Sequence, residues 1–210
     1  MKTLFLQAVV LCAISQTANA QIQMGAQVSY LTGHGKSDNH TSLVGAVVYG
    51  RYSLTNNIAV GTALHVYSPK TTQYSDGKLS YSATDNVTNV SGTYDMLMGV
   101  KGSPFQPYVG IDMGISTSQR SIVYINSLKE RQKHNIKQTY VMVSPKIGVN
   151  VSLGSSFGIF SQAQYNYSPG DGGPKTINLN NGKSVHTLTT EPISKYFNID
   201  TGIYMQLSKR

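Results

Sequence analysis

Charge is scarce in this sequence: Asp, Glu, Lys and Arg make up 12 % of 210 residues, against ~25 % in ordinary soluble proteins. Tryptophan is absent, and the single cysteine, Cys12, lies in an N-terminal segment that reads as an export signal. With that segment removed there is no thiol, so disulfides, cysteine nucleophiles and thiolate metal sites are excluded. Beyond it no stretch reaches 18 apolar residues, so any membrane crossing has to be made by strands, whose backbone groups pair between neighbours.

The leader consists of Met1 and Lys2, an apolar run over residues 4–14, and the small-residue site Ala18-Asn19-Ala20 before Gln21. The organisation expected is a signal peptide over 1–20 and one domain over 21–210. From Gln21 on, apolar residues recur every second position, the period of a strand with two unlike faces. Ile22, Met24, Ala26, Val28 and Tyr30 alternate with Gln23, Gly25, Gln27 and Ser29. Similar segments follow near 42–52, 57–67, 94–101, 107–116, 140–151, 157–167 and 197–207. In the second, Leu43 and Val47 blur the contrast, and in the sixth an interior Pro145 lacks a ladder donor.

The connections alternate in length. Short turns fall near 53–56, 103–106 and 152–156, and long ones near 31–41, 68–92, 118–137 and 168–195. Eight strands of about ten residues, with all long loops at one end, describe an all-β, eight-stranded antiparallel up-and-down transmembrane β-barrel. A soluble lipocalin-like carrier also alternates, with its apolar face turned inward around a small apolar ligand. The polar face arbitrates: it is Gly, Gln, Asn, Ser and Ala rather than Lys and Glu. Its charges are Arg51, Lys101 and Lys146 against Asp95, Asp112 and Asp200. Such a set suits a hydrogen-bonded lumen polar network, and the uncharged apolar face suits lipid.

The last strand sharpens this. Asp200-Thr201-Gly202-Ile203-Tyr204-Met205-Gln206-Leu207 sets a polar residue, a glycine two later and hydrophobic residues at the final alternating positions. In this, and in its strand and loop pattern, the chain resembles the small eight-stranded bacterial outer-membrane barrels of the OmpA/OmpX type. The resemblance implies location in the outer membrane, contact with outer-membrane lipid and lipopolysaccharide, and a structural or surface-interaction role through extracellular loops. It also implies an assembly signal at Asp200, Gly202, Met205 and Leu207, read by the barrel-assembly machinery during insertion. Tyr30, Tyr52, Tyr94, Tyr165 and Tyr167 stand where interfacial tryptophans would.

Chemistry is thinly signposted. Some small outer-membrane barrels modify lipid A with a His, a Ser and an acid, and His40-Thr41-Ser42 with Asp38 has the types for that. The other histidines, His34, His65, His134 and His186, lack metal-ligand spacing, so no catalytic, cofactor or metal site is expected and the protein is read as a non-enzyme. Charge says more. Losing Lys2 with the leader leaves 16 basic against 9 acidic residues, a formal +7. The expected basic extracellular loop carries Arg120, Lys129, Arg131, Lys133 and Lys137 against Glu130. It points to an anionic extracellular ligand; no recognition motif for nucleic acid accompanies it.

Overall fold

The computed structural model describes residues 21–34, 40–75, 80–99, 103–125, 131–168, 175–180, 185–190, 193 and 195–208. The expected leader, 1–20, lies outside them. Eleven strands follow in order: β1 (Gln21–His34), β2 (His40–Ser53), β3 (Ile58–Tyr67), β4 (Lys70–Ser75), β5 (Ser80–Leu97), β6 (Phe105–Ile125), β7 (Arg131–Ser152), β8 (Phe157–Tyr167), β9 (Lys175–Asn180), β10 (Val185–Thr190) and β11 (Lys195–Ser208). Eight of them, β1, β2, β3, β5, β6, β7, β8 and β11, pair antiparallel with their neighbours. The ring closes where the last strand meets the first, Ile22 opposite Leu207 through to Gly33 opposite Tyr196. Closure leaves no sheet edge in the ring, which is what allows such a sheet to stand in hydrocarbon.

The faces are those of a membrane barrel, not of a soluble carrier. Val28 (64 % exposed), Val48, Met113, Val141, Ile147 and Ile203 all point outward, while Gln27, Ser29, Asn89, Asp95, Gln164 and Asp200 are buried inside. Two aromatic belts bound the apolar surface. Tyr52, Val60 and Tyr94 form one cross-strand row near the short turns, and Tyr165 opposite Phe197, with Tyr30 and Tyr167, marks the other end. About ten residues between belts, at ~3.3 Å rise and ~40° tilt, span the ~25 Å apolar band such barrels carry.

The expected strand boundaries need correction at the long-loop end. The stretch expected as a loop over 68–92 holds β4 and the first half of β5, and the expected basic loop over 118–137 is the top of β6 and β7, paired from Arg120 opposite Ile136 to Ile125 opposite Arg131. These extensions rise past the apolar band, so nothing there requires a hydrophobic outer face. The pattern by twos fades while the Thr, Tyr, Val and Ile that favour strands persist. The fourth segment, in turn, ends at Leu97 rather than Lys101. Residues expected as a single loop over 168–195 contain the separate hairpin β9–β10. Its Ile177 and Leu188 pack, together with Tyr81, on Tyr124 and on a cluster of Ala83, Ile122 and Ile136.

Leu43 and Val47 face inward, each 1 % exposed. They join two apolar clusters, one with Leu31, Tyr67, Val87 and Tyr196, the other with Tyr49, Ala63, Phe160 and Tyr204. An eight-stranded barrel is narrow enough to be filled by its own side chains, and filling uses apolar groups as readily as polar ones. Pro145 is exposed on the lipid face. Pairing between β7 and β8 skips residues 144 and 145 without changing register, so the missing donor costs rungs but not alignment.

Candidate functional site

Two features stand out among the described residues, a charged and closely packed interior and exposed charge of one sign. The interior centres on a chain of four charges. Asp95 takes Arg51 Nε at 2.8 Å and Lys146 Nζ at 3.0 Å, and Lys146 Nζ reaches on to Asp112 at 2.6 Å; all four residues are buried. Neighbouring strands place them: Asp95, Gly110 and Lys146 are directly opposite one another across β5, β6 and β7. Gly110 is required, because a Cβ there would fall on Asp95 Oδ1. Lys146 also donates to Thr93 Oγ1. The Arg51 guanidinium lies 4.7 Å from the centroid of the Tyr108 ring and 5.5 Å from that of Tyr49, a cation–π setting that helps hold a desolvated charge.

Asp200 stands apart from this chain of ions. Its Oδ2 accepts from Gln162 Nε2 at 2.8 Å, and Gln162 Oε1 accepts from Tyr108 Oη at 2.8 Å. A ladder of amides and hydroxyls continues upward through Gln164, Asn166 and Ser144. Across the barrel, Tyr67 Oη binds Ser29 and accepts from Asn198 Nδ2, and His65 is fully buried beside the Tyr67 ring. Between Tyr49, Arg51, Lys146 and Phe160 the open space is about 10 Å³, room for about one water. Below it, a polar vestibule of about 640 Å³ opens at the short-turn end, lined by Gln21, Gln23, Gln106, Gln206 and Arg51.

The structure therefore brings together four of the six charges expected in the lumen, places Asp200 one hydrogen-bond relay away, and leaves Lys101 outside the described residues. Of the residues expected as an assembly signal, Asp200 faces the lumen, while Met205 and Leu207 lie on the lipid face of β11, opposite Met24 and Ile22. Gly202 sits where a Cβ would press on the backbone of Ala26 and Gln27.

Among the residues expected as a basic loop, Arg120 belongs elsewhere. It is buried, directly opposite Asp85, and grips both carboxylate oxygens, Nε to Oδ1 at 2.6 Å and Nη2 to Oδ2 at 2.9 Å. Asp85 escaped sequence reasoning because it lay in a stretch read as loop. Arg131, Lys133 and Lys137 are exposed on β7, and Lys129 lies outside the described residues. So do Asp38 and the side chain of His40, while Ser42 Oγ accepts from Lys70 Nζ at 3.2 Å.

No protein-family model matches this chain, and no curated protein matches it by sequence. Solved structures do. The outer membrane protein OprG from Pseudomonas aeruginosa superposes with a TM-score of 0.55 at 13 % identity, covering 90 % of this chain and 96 % of that one. The fold is that of the bacterial outer-membrane β-barrels. Ail, the attachment invasion locus protein of Yersinia pestis, matches at 0.51 and 12 % identity, over 90 % of this chain and 98 % of its own. Ail in complex with the heparin analogue sucrose octasulfate gives 0.52 at 10 % identity over the same shares.

Among the described residues, exposed charge has one sign. The four described acids, Asp85, Asp95, Asp112 and Asp200, all lie inside, none more than 2 % exposed. The charges exposed among the described residues are Lys70, Arg131, Lys133, Lys137 and Lys195, all cations. Lys195 Nζ sits 5.5 Å from the centroid of the Tyr167 ring at the upper aromatic belt.

Proposed function

We propose that this outer-membrane barrel is a non-enzymatic surface-interaction protein whose outward end engages an anionic ligand. The observation that carries the reading is the segregation of charge, with described acids in the interior and exposed cations at the end away from the short turns. A surface whose described charges are all positive concentrates anions and steers their approach.

The ordered extension supports the same reading. β5, β6 and β7 continue past the apolar band, the bidentate Asp85–Arg120 pair ties two of them together, and Ile177 and Leu188 fasten the β9–β10 hairpin to their inner face. This platform holds side chains in place before a ligand arrives, which lowers the entropy cost of binding. The middle of the interior is packed by its own side chains, with about 10 Å³ of open space between Tyr49, Arg51, Lys146 and Phe160, which favours a role for the exterior. Among barrels of this fold, Ail has been captured with a heparin analogue, sucrose octasulfate, a compact polyanion of the sort such a surface would attract.

The test is binding of anions to the folded full-length mature chain in detergent micelles or lipid discs. Sulfated and phosphorylated probes are expected to bind with an affinity that falls as salt rises, and neutral sugars of the same size are expected not to bind. Equal, salt-independent binding of charged and neutral probes would refute the reading.

A further inference from the structure

The vestibule at the short-turn end lies at the opposite pole of the barrel from the exposed cations, and its chemistry is its own. Its volume of about 640 Å³ falls within the ~300–1,000 Å³ of small-molecule sites. The described lining is mostly amides and hydroxyls, with Arg51 as its one charge and no acidic or aromatic residue. Arg51 also borders the inner gap, where open space falls to about 10 Å³, so the guanidinium stands at the blind end of the vestibule. Short turns of outer-membrane barrels face the periplasm, and the cavity is entered from that side.

The lining is biased toward hydrogen-bond donors, and Arg51 sets the bias. A guanidinium has five N–H groups and no acceptor. Asp95 takes Nε at 2.8 Å, and Gln23 Oε1 takes Nη1 at 3.3 Å. Gln23, directly opposite Arg51 on β1, must therefore give its carbonyl to the guanidinium, which leaves its Nε2 for the cavity. Two more glutamines are committed in the same sense. Gln106 Oε1 accepts from Asn150 Nδ2 at 3.3 Å, and Gln21 Oε1 accepts from Gln206 Nε2 at 2.6 Å. Three amide donors thus share one cavity with a cation that is 5 % exposed. An oxyanion placed there gains charge-assisted hydrogen bonds, roughly twice as strong as neutral ones.

We propose that this vestibule binds the carboxylate of a small polar acid from the periplasmic side, a peptide C-terminus being one source, with its oxygens against Arg51 and the amides of Gln23 and Gln106. A carboxylate brings one charge to one arginine already shared with Asp95, whereas a doubly charged phosphate would bring a second with no partner. The remaining asparagine and serine lining suits a polar body behind the carboxylate. The site is independent of the outward cations and of what they bind.

The test uses the full mature chain in lipid discs, titrated with N-acetylglycylglycine, with its C-terminal amide and with gluconate. Binding is read by calorimetry and by NMR shifts of the glutamine side-chain amides. Replacing Arg51 would disturb the interior ion chain, so the variants are Gln23→Glu and, separately, Gln106→Glu, each placing a negative charge in the vestibule wall. Folding is checked by gel migration before and after boiling. The peptide acid is expected to bind, its amide at least tenfold more weakly, and the acid should shift the side-chain amides of Gln23 and Gln106. Whichever variant folds should bind the acid at least tenfold more weakly than the wild type. Gluconate binding would extend the site to carboxylates at large, and its failure to bind beside a bound peptide acid would narrow the source to peptide C-termini; both support the site. Equal binding of acid and amide, unchanged affinity in a folded variant, or binding that shifts neither amide overturns the proposal, as does failure of both acids to bind through the millimolar range.

Discussion

Asp95 is the shared anion of the interior, and replacing it by Asn isolates what the ion chain contributes. In the native barrel it holds Arg51 at 2.8 Å and Lys146 at 3.0 Å. At an effective dielectric of ~20, unit charges about 3 Å apart attract by ~5–6 kcal/mol, and most of this offsets the cost of taking the ions out of water. What remains when one partner is removed is ~3–5 kcal/mol, because the other charges stay buried without compensation. After Asp95→Asn, Arg51 keeps Gln23 Oε1 at 3.3 Å and the two tyrosine faces, and Lys146 keeps Asp112. The expected loss is therefore about 3–5 kcal/mol.

Asp112→Asn is the internal control. It removes one contact from Lys146, which retains Asp95, so its loss should be about 1.5–3 kcal/mol, the range for a hydrogen bond to a charged group. Tryptophan is absent, so unfolding in urea from lipid vesicles is best followed by the folded band on unboiled gels, with circular dichroism as the second probe. With a urea slope of ~1–3 kcal/mol per molar, Asp95→Asn should move the midpoint by at least ~1 M. Equal losses for the two variants, or less than about 1 kcal/mol for Asp95→Asn, would refute a chain in which Asp95 is the shared partner.

Gly110→Ala should destabilise the barrel although it adds a single methyl, since that methyl falls on Asp95 Oδ1; the same urea titration checks it, and an unchanged midpoint would count against the packing described. Arg120→Ala should leave the membrane-embedded strands intact but loosen the top of β5 and β6, seen as faster amide exchange over residues 80–86 and 118–125 than in the wild type. Changing Ile177 and Leu188 to Ser should release the β9–β10 hairpin and raise its cleavage by added protease, with the barrel core still resistant. Met205→Asn with Leu207→Asn should lower the yield of barrel in the outer membrane of expressing cells more than refolding in detergent, which would separate recognition during assembly from stability; equal losses in both would argue that the strand end acts through packing alone.

The sequence by itself determined the barrel. A period of two is a local property of each strand, fixed by which residues must meet lipid, so the transmembrane segments, the turns near 53–56 and 152–156 and the inward direction of Arg51, Asp95, Asp112, Lys146 and Asp200 were legible, while the fourth segment and the turn after it were set a few residues too late. Above the apolar band that constraint ends. Nothing marks the two faces there, and only cross-strand pairing showed residues 80–92 and 117–137 to contain strand extensions rather than two loops. Tertiary structure also decided who meets whom. The pairing of Arg120 with Asp85, the three-strand row that sets Gly110 between Asp95 and Lys146, and the turning inward of Leu43 and Val47 depend on register and on the narrowness of a closed eight-stranded ring, which no single segment encodes. The single sign of the exposed charges among the described residues has the same origin: a net excess of cations can be counted in the sequence, but closure of the barrel is what hides the described acids inside and leaves the described lysines and arginine of its rim facing out.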